Sequence, residues 1–551
     1  MAIRYPDSSL EEVAAGRIRR LRRVLAGLAG LVALVVGISF VLSWDSSEGS
    51  PGNLTEPLYE WPGPLPSFTD VTGAWGLNGW RNTAETEASG GMAIGDLNGD
   101  GRDDLVVAGG QVAVFLAVDG GFSLADLPPT DGAVSVDLAD VDADGLLDLL
   151  VGRESDEDLI LWGETLLSDQ QQRAVFKGGA PTTGLISVDL DEDGLLDIVR
   201  LGYGGGRAAA DVIWRQVATR VFEEIELPNS RRRSLAAGVA DFDGSGSLDL
   251  WVTRDVGWKT GGDSLYVGSR SDPLLWEDRA TDFGTAVEID GMGVALADFT
   301  GDQQIDVYLS DLGDNELLRR EGPFLEPAAA NYAKDAERGI GRIRAIGADE
   351  GQISSSWGSG VADLNLDGVL DLVVVNGGFP SQKVDNKVPG TTVAISDAPA
   401  LFLGLPEEPG RWADVWPDLG LEWAGAGRGL VLGDLDGDLD TDIVISTRDN
   451  GLVVLRNDTE GPSLLVEVET SCDSTGLFVN LFASAGPLQV PVAAPTFLGR
   501  HSRQFILGTG GESVSLPSGD RSRGPARYSF AGKTRERLVL TCRDVGRDLL
   551  R

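Results

Sequence analysis

Between residues 96 and 442 the chain repeats one pattern: small apolar residues, an acidic nine-residue stretch, then a strongly apolar run. Small residues such as GLISV, LAAGVA and GRGLVLG precede the acidic stretches, as is typical of strands that converge on a crowded axis. The apolar runs are rich in the β-branched and aromatic residues that favour strands. They read LVVA, LLVG, IVRL, LWVT, VYLS, LVVV and IVIS. The pattern therefore predicts seven strand–loop–strand units.

The acidic stretches, called loops 1 to 7, carry an oxygen-bearing side chain at positions 1, 3, 5 and 9. Position 6 is glycine in five copies, which suits a sharp bend with positive φ. The loops are DLNGDGRDD (Asp96–Asp104), DVDADGLLD (Asp140–Asp148), DLDEDGLLD (Asp189–Asp197), DFDGSGSLD (Asp241–Asp249), DFTGDQQID (Asp298–Asp306), DLNLDGVLD (Asp363–Asp371) and DLDGDLDTD (Asp434–Asp442).

Convergent oxygens at this spacing are typical of a calcium site, because Ca²⁺ takes six to eight oxygen ligands. The EF-hand loop begins in the same way but ends with a bidentate glutamate at position 12, inside a helix. Position 12 here is apolar in six copies and Arg200 in loop 3. We therefore predict calcium loops that join strands and not helices.

The predicted ligands are the side chains at positions 1, 3, 5 and 9 and the backbone carbonyl at position 7. We expect up to seven Ca²⁺, with the weakest binding in loop 4, where Ser245 replaces a carboxylate, and in loop 5, which has Thr300 and Gln303. The predicted metal-binding residues are Asp96, Asn98, Asp100, Arg102, Asp104, Asp140, Asp142, Asp144, Leu146, Asp148, Asp189, Asp191, Asp193, Leu195, Asp197, Asp241, Asp243, Ser245, Ser247, Asp249, Asp298, Thr300, Asp302, Gln304, Asp306, Asp363, Asn365, Asp367, Val369, Asp371, Asp434, Asp436, Asp438, Asp440 and Asp442.

Successive loops start 44 to 71 residues apart, which is enough for one four-stranded antiparallel blade each. The predicted fold is all-β, a seven-bladed β-propeller over residues 67–458. An aromatic-x-Asp motif at Phe68–Asp70, Trp276–Asp278 and Trp412–Asp414 predicts outer strands. The first copy would close the ring by completing the last blade. A linear solenoid is the alternative, but it would need capping repeats.

The N-terminal region predicts a membrane anchor. Val24–Trp44 holds 21 residues without a charge, and five arginines precede it within residues 17–23. Such a helix spans about 31 Å, and the arginines predict a cytoplasmic tail at 1–23. A stalk rich in proline and glycine follows at 45–66. The bulk of the chain would then be extracytoplasmic, either periplasmic or at the cell surface; a secreted form after signal cleavage is the competing interpretation.

The acidic loops stop before residue 462, and alternating apolar residues predict a small C-terminal β-domain over 462–551. Cys472 and Cys542 could form a disulfide there or remain separate thiols. Two insertions stand out within the repeats. Residues 319–358 predict a helical excursion, and residues 376–400 predict a long polar loop.

Charge and composition narrow the classes of function. The net charge is −41, and seven Ca²⁺ would leave about −27, so nucleic acid is an unfavourable partner. The sole histidine is His501, which excludes a multi-histidine zinc site within the repeats. We expect no catalytic site and no small-molecule redox cofactor.

The loops resemble the FG-GAP/VCBS repeats of integrin-α-type propellers, and the whole arrangement is similar to the cartilage acidic protein family. That family follows its propeller with an ASPIC/UnbV-type domain. The residues that carry the likeness are Phe68–Leu77, Arg411–Ser446, Leu455–Asp458 and Phe505–Gly519; residues 470–500 depart from the family. The resemblance implies an extracytoplasmic calcium-binding adhesion or interaction protein with a protein or glycan ligand.

Two other functions stay open from sequence. One is a carbohydrate-active lyase or hydrolase with its site in the central pocket of the propeller. The other is a scaffold within an envelope complex.

Overall fold

The computed structural model describes residues 61–540 with gaps, of which the longest are 204–209, 321–331, 335–351, 379–391, 469–476, 516–526 and 529–534. The predicted tail (1–23), the predicted membrane helix Val24–Trp44, residues 45–60 of the stalk, and both cysteines lie outside the described residues. Among the residues that are described, no helix is long and apolar enough to span a membrane. All of them belong to one compact unit, Leu58–Arg551.

Strands dominate the described residues, so the all-β prediction is confirmed. The strands up to residue 457 are β1 (Phe68–Asp70), β2 (Met92–Gly95), β3 (Asp104–Ala108), β4 (Val112–Val118), β5 (Gly121–Leu124), β6 (Ala133–Ala139), β7 (Asp148–Arg153), β8 (Glu157–Leu161), β9 (Arg173–Lys177), β10 (Thr182–Val188), β11 (Asp197–Gly202), β12 (Val212–Ala218), β13 (Val221–Glu226), β14 (Ser234–Ala240), β15 (Asp249–Arg254), β16 (Ser264–Val267), β17 (Glu277–Asp278), β18 (Val294–Ala297), β19 (Asp306–Leu309), β20 (Glu316–Arg320), β21 (Tyr332–Lys334), β22 (Gln352–Ile353), β23 (Ser356–Ala362), β24 (Asp371–Asn376), β25 (Thr392–Val393), β26 (Ala400–Gly404), β27 (Trp412–Asp414), β28 (Gly427–Gly433), β29 (Asp442–Thr447) and β30 (Gly451–Asn457). The described helices are short: α1 (Gly163–Leu166), α2 (Gly257–Thr260), α3 (Ala280–Phe283) and a 3₁₀ turn at Trp416–Asp418.

Within the described residues, seven sheets share one plan of four successive antiparallel strands. Their orders are β2-β3-β4-β5, β6-β7-β8-β9, β10-β11-β12-β13, β14-β15-β16-β17, β18-β19-β20-β21, β23-β24-β26-β27 and β28-β29-β30-β1. The first strand of each sheet contacts the first strand of the next, and β28 contacts β2 again. These seven first strands, called the hub, therefore form a closed ring.

The ring closes through the N-terminal strand, as the aromatic-x-Asp motif predicts. Phe68 pairs with Asn457 and Asp70 with Leu455, so β1 is the outer strand of the sheet that holds loop 7. The other two copies of the motif behave in the same way. Strands β17 and β27 form the outer edges of their sheets, and these predictions are confirmed.

The hydrophobic core lies between neighbouring sheets. Ile94 and Leu105 of one sheet pack with Val431 and Val444 of its neighbour, and the other sheet pairs form similar clusters. Every residue of the hub strand β6 is buried. A strand that is covered on both faces explains why small and apolar residues precede each loop without polar alternation.

The C-terminal strands are β31 (Ser463–Val468), β32 (Leu477–Ala483), β33 (Gly486–Val492), β34 (Pro495–Thr496), β35 (Gly499–Arg500), β36 (Gln504–Gly508), β37 (Val514–Ser515), β38 (Arg527–Tyr528) and β39 (Glu536–Leu540). Strand β31 lies between β36 and β39, and β32 pairs with β33.

The helix predicted within 319–358 is wrong, because no described residue of that range is helical and its ends lie in β20, β22 and β23. Tyr332–Lys334, within the alanine-rich run, are also extended. These residues form β21, which pairs with β20 as the outer strand of the fifth sheet. Pairing across the sheet overrides the local helix preference of the alanine-rich run. The rest of the run lies outside the described residues, as do 379–391 of the second insertion.

Candidate metal centres

Each acidic loop connects the first strand of its sheet to the second. The aspartate at position 9 is the first residue of the second strand in all seven sheets, from Asp104 in β3 to Asp442 in β29. The prediction that the loops join strands is therefore confirmed. Because the hub strands are arranged alike around the ring, the loops follow the same end of each hub strand.

Two residues in every loop have a left-handed backbone. Position 6, as predicted, has positive φ in Gly101, Gly145, Gly194, Gln303, Gly246, Gly368 and Leu439. Position 4 also has positive φ, which the sequence analysis missed; the residues are Gly99, Ala143, Glu192, Gly244, Gly301, Leu366 and Gly437. Glycine at position 4 in four of the loops was the sequence signal that could have predicted this positive φ. In loops 2, 3, 4 and 7 the side chains of positions 1 and 3 lie close together across this double bend.

The aspartate at position 1 caps its own loop. Its Oδ2 accepts the backbone N–H of position 6 in all seven loops, at 2.8 Å from Gly101 to Asp96 and 3.0 Å from Leu439 to Asp434. The remaining bonds of this kind end on Asp140, Asp189, Asp241, Asp298 and Asp363. A carboxylate oxygen has two lone pairs, so these oxygens can still bind a cation.

The aspartate at position 9 has a structural role that the sequence analysis did not assign. In loop 2, Asp148 accepts the N–H of Val141 on Oδ2 (2.9 Å) and the N–H of Gly163 on Oδ1 (2.7 Å). Its equivalents form the same two kinds of bond, with the N–H of Thr300 at position 3 in place of position 2 in loop 5, and all of them are buried. The side chain therefore links its loop to the far end of the third strand.

Four loops bring three carboxylates together, with one oxygen of each residue within 4.8 Å of the others. The trios are Asp140, Asp142 and Asp148; Asp189, Asp191 and Asp193; Asp241, Asp243 and Asp249; and Asp434, Asp436 and Asp442. Glu164 joins Asp142 and Asp144 in a further trio. In loops 1, 5 and 6 an amide or hydroxyl occupies position 3, and no such trio is found there within the described residues.

Burial makes the charged form of these carboxylates costly. Burial, together with the adjacent loop carboxylates, raises the pKa of Asp148 to about 7 and that of Asp241 to about 6. In loop 6 burial raises the pKa of Asp363 to about 8, with Asp367 as the next cause. A bound divalent cation would reverse this cost, because it favours the ionised form.

Four buried side-chain oxygens in these loops, on Asp241, Thr300, Gln304 and Asp440, fit a cation. Oδ1 of Asp241 and Oδ1 of Asp440 are buried without a hydrogen bond of normal geometry from the described residues. Sequence spacing predicts only the backbone carbonyl of Asp440 as a ligand. Burial and the neighbouring Asp438 raise its pKa to about 8, so its side chain is an additional candidate ligand. Carboxylates, amides and carbonyls are the oxygen donors that Ca²⁺ prefers, and these residues fit that ion.

Arginines contact several of the loops; Arg102 belongs to loop 1 itself, and the others lie outside the loops. Arg220 bonds Asp142 at 2.6 Å and Glu164 at 2.7 Å, and Arg215 bonds Asp191 at 2.5 Å. Further pairs join Arg102 to Asp100 in loop 1 and Arg535 to Asp438 and Asp440 in loop 7. These guanidinium groups neutralise part of the acidic charge on the loops. Loop spacing alone gives no indication of Arg215, Arg220 and Arg535, since they lie outside the loops that they contact.

Comparison with known proteins agrees with the repeat. Residues 67–151 match the FG-GAP-like repeat family, a stretch that contains loops 1 and 2. No curated protein matches the chain. The closed ring of sheets is that of a β-propeller, and its first part is similar to the FG-GAP-like repeat.

Several solved structures are similar to the chain. BBS1N in complex with ARL6DN is 13% identical, with a TM-score of 0.41 over 71% of this chain and 97% of that one. A lectin from Agrocybe aegerita, described as recognising non-reducing terminal N-acetylglucosamine, is 16% identical over 67% and 90%, with a TM-score of 0.36. The β-propeller domain of Cps50 (Swd1) from Myceliophteria thermophila is 8% identical over 68% and 97%, with a TM-score of 0.37. Similarities of this size carry no conclusion about function.

Proposed function

We propose that this chain is a seven-bladed propeller, stabilised by calcium, that binds a protein or glycan ligand outside the cytoplasm. The observation that supports calcium most directly is the convergence of three carboxylates in loops 2, 3, 4 and 7. The positions that would hold the ions are 1, 3, 5 and 9, with the carbonyl of position 7. When bound, calcium would supply positive charge to a buried acidic site.

Electrostatics explains why a cation is needed. Two like charges 4 Å apart repel by about 1 kcal/mol in water and by about 4 kcal/mol at the effective dielectric near a protein surface. Each trio contains three such pairs within 4.8 Å. The contacting arginines relieve part of this repulsion in loops 2, 3 and 7.

The expected stabilisation is large for the whole ring. Extracellular calcium modules bind with Kd of about 10⁻⁴ to 10⁻³ M. At ten times Kd each site would contribute about 1.4 kcal/mol. Several sites together would then be comparable with the total stability of a domain, about 5–15 kcal/mol.

The site of action follows from the proposed anchor Val24–Trp44, which would hold the propeller outside the cytoplasm, where calcium is available. A form secreted after signal cleavage would face the same medium. The resemblance to the cartilage acidic protein family supports an interaction role, with the C-terminal strands as the ASPIC/UnbV-like part.

Thermal melting of the full chain tests the calcium proposal. The sample is compared in calcium, in chelator, and in chelator with excess magnesium as the control for ionic strength. We expect chelation to lower the melting temperature strongly and magnesium to restore little of it. Equal melting temperatures in calcium and chelator would refute a structural role for calcium.

The binding role is tested separately by glycan-array and co-purification experiments, each in calcium and in chelator. A ligand retained in calcium and lost in chelator is the expected result. Turnover of a glycan on the array would instead favour the enzyme alternative.

A further inference from the structure

A C-terminal hairpin lies inside the hub. Strands β34 and β35 pair with each other, and Arg500 of β35 pairs in parallel with Ala93 of β2. Strand β34 contacts β14, β18, β23 and β28, and β35 contacts β2, β6, β10 and β28. The two short strands therefore reach the first strand of all seven sheets, which places them on the axis of the ring.

Arg500 anchors this hairpin. Its side chain is 2% exposed and forms an ion pair with Asp137 of β6 through two contacts, Nε to Oδ1 and Nη2 to Oδ2, the latter at 3.0 Å. The Nη2 group also donates to the carbonyl of Ser187 in β10 at 3.0 Å and to its hydroxyl at 3.2 Å. A planar guanidinium that binds both oxygens of one carboxylate is a strong and directional contact.

The acceptor is built into the hub. Oδ2 of Asp137 accepts the backbone N–H of Ser187 at 2.8 Å and its hydroxyl at 2.6 Å, which joins β6 to β10. Asp137 is 1% exposed, so its charge is shielded from water. Without a guanidinium, this carboxylate would be a buried and uncompensated charge, which is strongly destabilising.

The residues after Arg500 contact β28, the neighbour of β2 on the other side from β6. Leu432 of β28 donates its N–H to Nδ1 of His501 at 3.1 Å and accepts the N–H of Ser502 at 3.1 Å. The hydroxyl of Ser502 donates to Asp103 in loop 1 at 2.7 Å. The segment thus contacts the hub on several sides and not at one point.

The hub strands leave room for this segment. A Cβ atom on Gly360 of β23 would lie 2.7 Å from Cε1 of His501, and one on Gly433 of β28 would lie 2.9 Å from Cβ of Ser502. Both distances are shorter than real contacts of that kind. Glycine at these two positions is therefore needed for the C-terminal segment to enter.

We propose that β34, β35, His501 and Ser502 form an internal plug of the hub, held by a guanidinium-binding site at Asp137 and Ser187. The ligand class of this site is an arginine side chain on an extended segment, and the chain supplies that ligand itself. The plug joins sheets that are far apart in the ring. It also closes the central pocket that the hub strands surround. An external ligand must then bind at the rim or at another surface. This inference does not depend on calcium.

A double-mutant cycle on the full chain tests the plug. Arg500→Gln and Asp137→Asn are each expected to lower the melting temperature by several degrees, and the double variant is expected to lose no more than the worse single variant. The matched control is Arg537→Gln, which removes a half-exposed arginine from an ion pair with Glu467 in the same C-terminal region and should change melting little. Additive losses, or an Arg500→Gln variant that melts like the control, would overturn the proposal.

Chemical rescue gives a second readout. Arg500→Ala is melted in millimolar ethylguanidinium and in the same concentration of ethylammonium. Ethylguanidinium alone should raise the melting temperature, and only while Asp137 is intact. Equal effects of the two salts would contradict a guanidinium site. If Arg500→Ala does not fold, Arg500→Lys is used instead, because it keeps the positive charge but lacks the planar guanidinium. Its melting temperature should lie between those of the wild type and Arg500→Gln. A melting temperature equal to that of the wild type would also overturn the site.

Discussion

At the scale of the residue, the acidic side chains perform two kinds of work. Position 1 and position 9 accept backbone N–H groups that shape the loop, and the same carboxylates converge towards a cation site. The sequence makes the second role visible through spacing. Spacing does not indicate the role in shaping the loop, because Gly163, which donates its N–H to Asp148, lies 15 residues away along the chain.

Backbone strain at position 6 gives the first prediction. Gln303 is exposed and has a φ of 65° where five other loops have glycine. Gln303→Gly should raise the free energy of unfolding by roughly 0.5–1 kcal/mol, since relief of left-handed strain outweighs the entropy of glycine. Denaturant unfolding measures this change.

The matched control is Gly194→Gln, at an equivalent position with a φ of 91° and open space around a Cβ. The free energy of unfolding of this variant should be lower by about 1 kcal/mol. A stability loss in Gln303→Gly would contradict the assignment of strain to this position.

Protonation of His501 gives the second prediction. Burial lowers its pKa from 6.5 to about 4, so the neutral ring contributes stability above pH 6.5 that is lost as the pH falls towards 4. His501→Asn keeps an acceptor for the N–H of Leu432 without this titration. Between pH 6.5 and pH 4 the melting temperature of the wild type should therefore fall by more than that of the variant.

Other groups packed nearby titrate or carry charge, namely Asp103, Arg500 and Asp137. Burial raises the pKa of Asp103 to about 7, which acts in the opposite direction as the pH falls. Because both proteins contain these groups, the difference between their pH profiles isolates His501. Identical profiles would show that His501 does not titrate as described.

At the scale of the element, each sheet begins with a hub strand, an acidic loop and a second strand. The aspartate at position 9 connects this part to the third strand through hydrogen bonds. Asp249 is fully buried and accepts the N–H of Phe242 at 2.8 Å and that of Gly268 at 3.0 Å. Asp243 in the same loop is only partly buried. Asp249 therefore combines the structural role with the proposed metal role, whereas Asp243 has mainly the metal role.

This difference gives the third prediction. In chelator, Asp249→Ala should lower the free energy of unfolding by about 1–3 kcal/mol, because two buried N–H groups lose their acceptor. Asp243→Ala should have little effect in chelator and a clear effect in calcium. Thermal melting in both conditions measures the contrast, and equal losses in chelator would contradict it.

At the scale of the whole molecule, the repeat and the aromatic-x-Asp motif were sufficient to predict strands, loop positions and the closing strand Phe68–Asp70. These features depend on local spacing. The arginines that contact the loops and the hairpin in the hub were not predictable, because they bring together residues such as Asp137 and Arg500 that lie 363 positions apart. The strand Tyr332–Lys334 was missed because sheet pairing and not local propensity decides it.

The central claim is that the acidic loops of the ring bind calcium, and the most direct test counts the ions. Equilibrium dialysis of the full chain followed by elemental analysis would measure calcium per chain, with magnesium as competitor. We expect several ions per chain, up to seven, with a larger loss in Asp142→Ala than in Ser245→Ala. A chain that retains no calcium above the magnesium control would contradict the account.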